Sequence, residues 1–272
     1  MRPTVVLTTM DHLDVTQRCV ESMDEHTFNS HDLVVVDASS DSSTVDYIQE
    51  VRPDATILEL GSRYWIAYAW NRGIETAVET YNPEVICILN NDLLFEDYWL
   101  SYLCNSFYVD TPWPVGMVGP LLLYPTREMY PKFKWGKPGE VQSPLIDHLY
   151  KGSIVPVKQM LGACMAISRN TLGTLGYFDE RYIGNHDEME FCQRLWVKGH
   201  SVLCNLRSKV YHLHGTVRRE KSLNDLYKDT VAEYGLDYPH PTELWIASSK
   251  RHSRDAFNNY KRVLDWWMKR WV

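Results

Sequence analysis

Short apolar runs alternate with helix-like patterns along the first 110 residues of the chain. The runs predict buried strands and the intervening patterns predict helices, the strands at 4–8, 33–37, 56–60 and 85–89 and the helices at 15–23, 44–51 and 64–81. In the third helix Gly73 is expected to allow a close approach to the sheet. The positions expected to face the sheet beside it are Ala67, Ile74, Ala77 and Val78. This alternation predicts an α/β fold with a mostly parallel, doubly wound sheet.

The remainder of the chain is less regular. Residues 93–100 suggest a loop and a helix start, and residues 111–157 contain eight prolines and six aromatic residues. A segment of that composition is expected to form at most short edge strands. It is interpreted as a lid, as an acceptor surface or as an ordered surface loop. Regular patterns then return, with a strand at 160–168, helices at 169–175 and 189–198, and short strands at 201–204 and 209–211.

The C-terminal segment 250–272 has the pattern of a basic amphipathic helix. It carries seven Lys or Arg and two Asp, hence +5, which leaves −12 for the remainder of a chain whose total is −7. Its apolar stripe, at spacings of 3, 4, 3 and 4, consists of Phe257, Tyr260, Leu264, Trp267 and Trp271. We expect this stripe to dock on the rest of the chain. Contact with a membrane interface or with nucleic-acid phosphates is the alternative.

Composition narrows the class of protein. A chain of 272 residues with 44% hydrophobic and 23% charged residues is typical of a soluble globular protein, as one large domain or a domain with an appendage. The net charge of −7 argues against a surface coated in basic residues. Six widely spaced cysteines without a CxxC pair predict reduced core thiols. With no signal-like or membrane-length apolar run, the sequence predicts a cytoplasmic location.

Polar side chains follow three of the predicted strands. They are Thr8, Thr9 and Asp11 after the first, Asp37 and 39–41 after the second, and 90–92 after the fourth. The carboxyl ends of parallel strands share one rim, where ligands bind in open α/β sheets. These groups suit a nucleotide, and Asp92, which follows two asparagines, suits Mg²⁺ or Mn²⁺, although an Asn/Asp turn is the simpler alternative. Neither GxGxxG nor GxxxxGK[ST] occurs.

A second acidic cluster opens the helix predicted near residue 189. Asp187 and Glu190 have the spacing of a capping box, which predicts Asp187 as the N-cap. Glu188 shares a helical face with the apolar residues at positions 191, 192 and 195, so it is expected to point inward. An inward carboxylate among acidic neighbours suits a general base, and a capping or salt-bridged glutamate is the alternative.

His212 and His214 lie on one face of the last predicted strand, so both could meet one ion, or they could form a purely structural pair. The basic residues that follow, Arg218, Arg219 and Lys221, either bind anionic phosphates or face solvent.

Six segments in order resemble the motifs of inverting glycosyltransferases of family 2, which have the GT-A fold. They are VVVDASSDSS, WNRGIETA, ILNNDLLF, LGACMAISRNTLGTLGYFDERY, HDEMEFCQRLWVKGH and KVYHLHG. The resemblance spans residues 3–216. It implies a catalytic domain at 1–216, with a nucleotide-sugar half at about 1–110 and an acceptor half at about 111–216, followed by a helical extension at 217–272.

The resemblance also implies an activity and its residues. A sugar would move from a UDP or dTDP sugar to an acceptor hydroxyl, with Mn²⁺ or Mg²⁺ as cofactor and Glu188 as the base, Asp187 being the alternative base. The metal would be held by Asp92, His212 and His214. The implied donor-binding residues are Thr8, Thr9, Asp11, Asp37, Ser39, Ser40, Asp41, Asn71, Arg72, Asn90 and Asn91.

Three positions depart from the family pattern. Glu188 stands where the family has Asp, Asn90 stands for the first Asp of the metal motif, and 62–64 replaces the usual N-x-G. The acceptor stays open between a glycan, a lipid-linked glycan at a membrane surface and a hydroxylated base of DNA. A sugar-phosphate nucleotidyltransferase and a non-catalytic sugar-binding module are the other functional alternatives.

Overall fold

The computed structural model describes residues 2–61, 65–129, 137, 139–143, 152–184, 186–213 and 223–271, with side chains for all of these except 223–226 and 271. The departing segment 62–64, His214, the basic residues at 218–221 and the predicted boundary at 216/217 lie outside the described residues, as does much of the aromatic segment after residue 129.

The first seven elements match the sequence prediction closely. They are β1 (Thr4–Thr9), α1 (Leu13–His26), β2 (Asp32–Asp37), α2 (Ser43–Val51), β3 (Thr56–Glu59), α3 (Ile66–Tyr81) and β4 (Val85–Asn90). The cores of β1, β2 and β4 are fully buried because helices cover both faces of the sheet. Gly73 confirms the close approach of α3, since a Cβ there would lie 2.3 Å from Cγ1 of Val6.

The later elements complete the fold. They are β5 (Leu93–Phe95), α4 (Trp99–Asn105), a 3₁₀ turn (Ser106–Tyr108), β6 (Val115–Leu123), β7 (Val141–Ser143), β8 (Ile154–Pro156), β9 (Cys164–Ser168), α5 (Arg169–Leu175), α6 (Asp187–Val197), β10 (Ser201–His212), α7 (Leu223–Tyr234) and α8 (Pro241–Trp271).

The described strands form one sheet in the order β3-β2-β1-β4-β9-β6-β10-β5, with β7 beside β6 and β8 beside β10. The pairings β3-β2, β2-β1 and β1-β4 are parallel, whereas β9 runs antiparallel to both β4 and β6. The α/β class is therefore confirmed, with a parallel first half and a mixed second half. The parallel half brings the carboxyl ends of β1, β2 and β4 to one edge, as the sequence predicted.

β6 corrects the expectation of short edge strands between 111 and 157. It is nine residues long and lies inside the sheet, although it contains Pro120. Its partner β10 accommodates the proline with a shift in register, because Asn205 pairs with Pro120 and Lys209 pairs with Leu121. The bulge removes the need for a proline N–H in the ladder. It also joins the two short strands predicted at 201–204 and 209–211 into one long strand.

A second correction concerns residues 93–100, which were expected to form a loop and a helix start. The segment begins with β5, and only then does α4 follow. β5 pairs antiparallel with the end of β10, with Leu93 opposite His212. This pairing brings the end of the last strand beside the residues that follow β4.

α8 docks on the protein, as expected, but with a stripe shifted around the helix. The most buried positions are Ala256, Val263 and Trp267, and Phe257 is 47% exposed. Among the described side chains of the predicted stripe, Tyr260 and Trp267 belong to the buried face, because two neighbouring faces of this helix both carry apolar residues. The α8 face joins the core that lies between α3, α6 and the sheet.

Several cations of α8 face solvent: Lys250, Arg251, Arg254, Lys261, Arg262, Lys269 and Arg270. Contact of this segment with a membrane surface or nucleic acid stays a prediction. Within the described part of the chain, no helix is both long and apolar enough to span a membrane. All six cysteines are buried free thiols, as predicted.

Candidate active site

The carboxyl ends of β1 and β2 carry an interlocked set of polar side chains. Both Thr9 Oγ1 and Ser39 Oγ donate to Oδ1 of Asp37 at 2.6 Å. Oδ1 of Asp11 accepts from the backbone N of Ser40 at 2.8 Å and from its Oγ at 2.7 Å. The backbone N of Asp11 donates to Ser39 Oγ at 2.8 Å. The structure therefore brings these five predicted donor-binding residues together at one edge of the sheet.

Two other predicted donor-binding residues at this edge have structural partners. Thr8 is buried and donates from Oγ1 to the backbone O of Leu89 at 3.1 Å, which ties β1 to β4. Asp41 is exposed and accepts from the backbone N of Ser43 at 2.9 Å. Hydrogen bonds from the hydroxyl and backbone of Ser43 lower the pKa of Asp41. Asp41 thus stays ionised and satisfies the first turn of α2.

Asn71 and Arg72 lie on α3, where their bonds reach the segment before α6. Nδ2 of the buried Asn71 donates to the backbone O of Phe178 at 2.9 Å and to Oε1 of Glu180 at 2.8 Å. Arg72 pairs with Glu75 at 2.8 Å and with Glu180 at 3.5 Å. These contacts hold segment 178–180 against the core, and a role of either residue in donor binding stays a prediction.

The three residues at the end of β4 have different surroundings. The backbone N of Asn90 donates to the backbone O of Ala163 at 2.9 Å, and its buried Oδ1 has no hydrogen-bond partner among the described residues. Asn91 is buried and donates from Nδ2 to Oγ1 of Thr16 at 2.8 Å. Asn91 therefore anchors α1, whereas the amide oxygen of Asn90 is the group that a bound ligand would satisfy.

Asp92 lies against His212 at the junction of β5 and β10. Oδ2 of Asp92 is 3.4 Å from Nε2 of His212, and both residues are 7% exposed. The backbone O of Asp92 also accepts from the backbone N of Leu213 at 2.9 Å. On the far side of the ring, Nδ1 of His212 is 2.8 Å from Oε1 of Gln142. An amide oxygen only accepts, so this bond requires Nδ1 to carry a proton.

The Asp92–His212 pair has the donor types of a divalent cation site. With Nδ1 directed at Gln142, Nε2 faces the Asp92 carboxylate, and a divalent cation bound between them would be coordinated by both groups. His214, the third predicted ligand, lies outside the described residues. Within those residues no group of three or more His, Cys, Asp or Glu side chains is placed to hold a metal. The pair therefore fits an ion of the Mn²⁺ or Mg²⁺ type that takes its remaining ligands from phosphate or water.

The N-terminus of α6 corrects the predicted capping box. His186, with φ of 68°, occupies the N-cap, and Asp187 is the first helical residue. Glu190 pairs with Arg194 at 2.7 Å instead of reaching back to the helix start. Oδ1 of Asp187 accepts from the backbone N of Glu188 at 3.0 Å. A left-handed residue at 186 places the N-cap one position earlier than the sequence pattern indicated.

Glu188 points inward, as predicted from its helical face. Burial, and then the hydrogen bond and charge of Asp187, raise the pKa of the Glu188 carboxyl well above its ordinary value. The backbone N–H groups of Gly162 and of Glu188 itself act in the opposite direction. Burial prevails, so this carboxyl is a stronger base than an exposed glutamate once it is ionised.

Gly162 makes room for the ring of Trp70 and lies beside Glu188. A Cβ at position 162 would lie 2.5 Å from the ring of Trp70 and 3.4 Å from Cβ of Glu188. The next residue, Ala163, accepts the hydrogen bond from Asn90. Two consecutive residues therefore connect the buried carboxyl on α6 with the carboxyl end of β4. The predicted base and the predicted metal-binding loop lie on the two sides of one short backbone segment.

Two residues of this site carried little or no signal in the sequence. Gln142 is far along the chain from His212 and belongs to no motif, so only the fold reveals their contact. Gly162 was visible as a glycine in a strand pattern, which marks a bulge or a close approach, but the pattern does not say what approaches it.

Comparisons with known proteins agree with this architecture. Residues 4–114 match the model of the family described as glycosyl transferase family 2. The chain is 26% identical over 168 residues to Agl10 of Haloferax volcanii, described as a low-salt glycan biosynthesis hexosyltransferase, in a match that covers 60% of this chain and 52% of that protein. The structure of the present chain is similar to that of GalNAc-T7 with UDP, GalNAc and Mn²⁺. The TM-score is 0.62 and the sequence identity 18%, and the match covers 93% of this chain and 55% of the GalNAc-T7 chain.

The sheet order and the structural similarity define the GT-A fold, the fold of a class of glycosyltransferases. The part of the chain that carries the polar network around Asp11 and Asp37 and the β4 end matches the model of glycosyl transferase family 2. The resemblance stated from the six sequence motifs is thereby confirmed. The chain spans about half the length of the two proteins named above.

Proposed function

We propose that this protein transfers a sugar from a nucleoside-diphosphate sugar to an acceptor hydroxyl, with inversion at the anomeric carbon and with Glu188 as the base. One observation supports this most strongly. The inward carboxyl of Glu188, with its raised pKa, is joined to the β4 end through Gly162 and Ala163. A base on one side and a diphosphate site on the other is the arrangement that a direct displacement requires.

The donor nucleotide is proposed to bind at the ends of β1 and β2. The carboxylates of Asp11 and Asp37 can accept from ribose hydroxyls or base N–H groups, and the hydroxyls around them already fix their orientation. UDP is bound in the structurally similar GalNAc-T7, which favours a UDP or dTDP sugar as donor.

Asp92 and His212 are proposed to hold a divalent metal beside the diphosphate. A Mn²⁺ or Mg²⁺ ion bound there would supply positive charge for the leaving group. Asn90, with its buried amide oxygen, lies at the same strand end and is proposed to contact the donor. Gln142 orients His212 by accepting from Nδ1, as partners of metal-bound histidines do.

Glu188 performs the proton transfer in this proposal. The acceptor oxygen forms its bond to the anomeric carbon from the face opposite to the diphosphate, while the bond from that carbon to the phosphate oxygen breaks. The proton of the acceptor hydroxyl moves to the Glu188 carboxylate. Asp187 then stabilises the protonated Glu188 carboxyl through the hydrogen bond that raises the Glu188 pKa. Because a single displacement occurs, the configuration at the anomeric carbon inverts.

The proposal is tested by incubating the protein with UDP- and dTDP-sugars in the presence of Mn²⁺ and monitoring nucleotide release. We expect UDP or dTDP and a sugar of inverted configuration, detected by NMR of the anomeric proton. Release of pyrophosphate from a nucleoside triphosphate and a sugar phosphate would instead identify a nucleotidyltransferase. Nucleotide-sugar binding without any turnover would identify a sugar-binding module.

A further inference from the structure

We propose that a groove between α6 and α8 binds the acceptor, and that this acceptor is an anionic saccharide. This inference rests on the proposed glycosyl transfer and identifies the chemical class of its second substrate. The groove encloses about 440 Å³. It is lined by Lys158, Gln159, Met189, Gln193, Trp196, Trp245, Ser249, Ser253, Arg254, Ala256, Phe257 and Tyr260.

The groove combines flat aromatic surfaces with hydrogen-bonding side chains. Trp245 and Tyr260 are half-buried, Phe257 is exposed, and all three line the α8 wall of the groove. The apolar C–H faces of pyranose rings pack on aromatic rings of this kind. Gln159 offers both donor and acceptor groups for sugar hydroxyls. Apolar surfaces with a few polar groups are typical of small-molecule sites.

Charge in the groove favours an anion. Lys158 and Arg254 line it, and none of its described lining residues is acidic. The Lys158 ammonium lies 4.7 Å from the Phe257 ring centroid and 5.8 Å from that of Tyr260, which holds it over the aromatic wall. In a chain with a net charge of −7, a positive groove is a local departure that favours carboxylate, sulfate or phosphate groups.

Hydrogen bonds fix the two sides of the groove before any ligand binds. Nε1 of Trp196 donates to the backbone O of Lys158 at 3.1 Å, which fastens the 157–159 segment to α6. Nδ2 of Asn259 donates to the backbone O of Trp196 at 2.8 Å, and Oγ of Ser248 donates to Oε1 of Gln193 at 3.1 Å. These bonds fasten α8 to α6. A groove formed in advance loses less entropy when a ligand binds.

The groove borders the two segments that lie next to Glu188. Met189, which lines it, directly follows Glu188 on α6, and the His186 ring stacks on Trp245 with centroids 5.5 Å apart. Gln159 lies three residues before Gly162, the residue that contacts Glu188. Three residues span at most about 10 Å. In this proposal, a saccharide lying in the groove extends past Met189 and Gln159 to present a terminal hydroxyl to the base.

The test measures binding of saccharides to the full chain by calorimetry, with UDP and Mn²⁺ present. The anionic probe is a hyaluronan tetrasaccharide and the neutral probe is chitotetraose. We expect the anionic probe to bind at least tenfold more tightly, and Lys158→Gln or Arg254→Gln to reduce that advantage about fivefold or more. Trp245→Ala should weaken the binding of both probes. Lys261→Gln, which removes an α8 cation outside the groove lining, is the matched control and should change neither affinity.

Equal affinity for the two probes, no binding of either, or equal effects of the Lys261 and Lys158 variants would overturn the proposal. Tighter binding of a 12-nucleotide single-stranded DNA, lost in the same groove variants, would overturn it in favour of nucleic acid. UDP affinity, measured in the same preparations, separates the two proposals. If UDP binds and is released from its sugar while no saccharide binds, only the acceptor assignment fails.

Discussion

Oδ2 of Asp92 lies 3.4 Å from Nε2 of His212, which joins the end of the fourth strand to the end of the tenth. The contact exists because β5 turns back antiparallel to β10 and places Leu93 opposite His212. Gln142, on the other side of the imidazole, contacts Nδ1 and so directs Nε2 toward the carboxylate.

This geometry predicts that divalent metal binding depends on both residues. In the wild-type protein, Mn²⁺ in the presence of UDP should raise the melting temperature. A ligand that binds only the native state stabilises that state by about 2.7 kcal/mol when the ligand concentration is a hundred times its Kd. Asp92→Asn and His212→Gln should each lose most of that increase. The measurement is a thermal-shift titration of Mn²⁺. Glu79→Gln, which alters an exposed carboxylate on α3, serves as the control and should keep the full response.

Gly73 offers a test of the packing of α3 on the sheet. In Gly73→Ala the new Cβ would lie 2.3 Å from Val6 Cγ1 and 2.8 Å from Val36 Cγ2, so the substitution should destabilise the protein by about 1–3 kcal/mol or more. Gly173→Ala on α5 meets nothing within 4 Å and should instead be neutral or stabilising by about 0.5–1 kcal/mol. Urea denaturation of both variants measures the difference. A smaller loss in Gly73→Ala than in Gly173→Ala would contradict this packing.

The success and the errors of the sequence predictions have separate physical causes. The strands β1, β2 and β4 were predictable because a parallel sheet covered on both faces needs continuous apolar runs. β6 was missed because its proline suggested an edge strand, and only the bulge in β10 makes an interior Pro120 tolerable. The buried stripe of α8 was misplaced because two adjacent faces are apolar, and packing against α6 decides which of them is buried.

The candidate site shows the same division. Glu188 and Asp92 were recognisable from helix periodicity and strand-end position, since both signals are local. The N-cap was misplaced by one residue because His186 adopts a left-handed backbone that nothing in its neighbourhood of the sequence predicts. Gln142, which contacts His212 across a long sequence separation, had no local signal.

Asp187 is expected to set the pH range of activity. Its carboxyl raises the pKa of Glu188, in addition to burial, and the base must be ionised to accept a proton. The rate should therefore fall as the pH drops through the raised pKa, at a pH above that of an ordinary glutamate. In Asp187→Asn the acidic limb of the kcat/KM profile should move to lower pH. A limb that stays in place would show that Asp187 does not act on the base.

The raised pKa also has a consequence for stability. Below the pKa of Glu188 in the unfolded chain, the carboxyl is protonated in both states and its contribution to stability is complete. As the pH rises through the folded-state pKa, that contribution is lost because a buried charge must form. Glu188→Gln should therefore be more stable than the wild type at pH 8, with a smaller difference at pH 5. Urea midpoints at the two pH values measure this, and an equal difference at both would contradict the burial of Glu188.

The measurement that tests the account most directly is the turnover of Glu188→Gln with a nucleotide sugar and an acceptor, beside its affinity for UDP. The substitution removes the base and leaves the Asp11–Asp37 network and the Asp92–His212 pair unchanged. We predict a loss of at least about a hundredfold in kcat, in the range expected for general-base catalysis, with the UDP affinity within twofold of the wild type. Near-wild-type turnover, or a parallel loss of UDP binding, would contradict the assignment of Glu188 as the catalytic base.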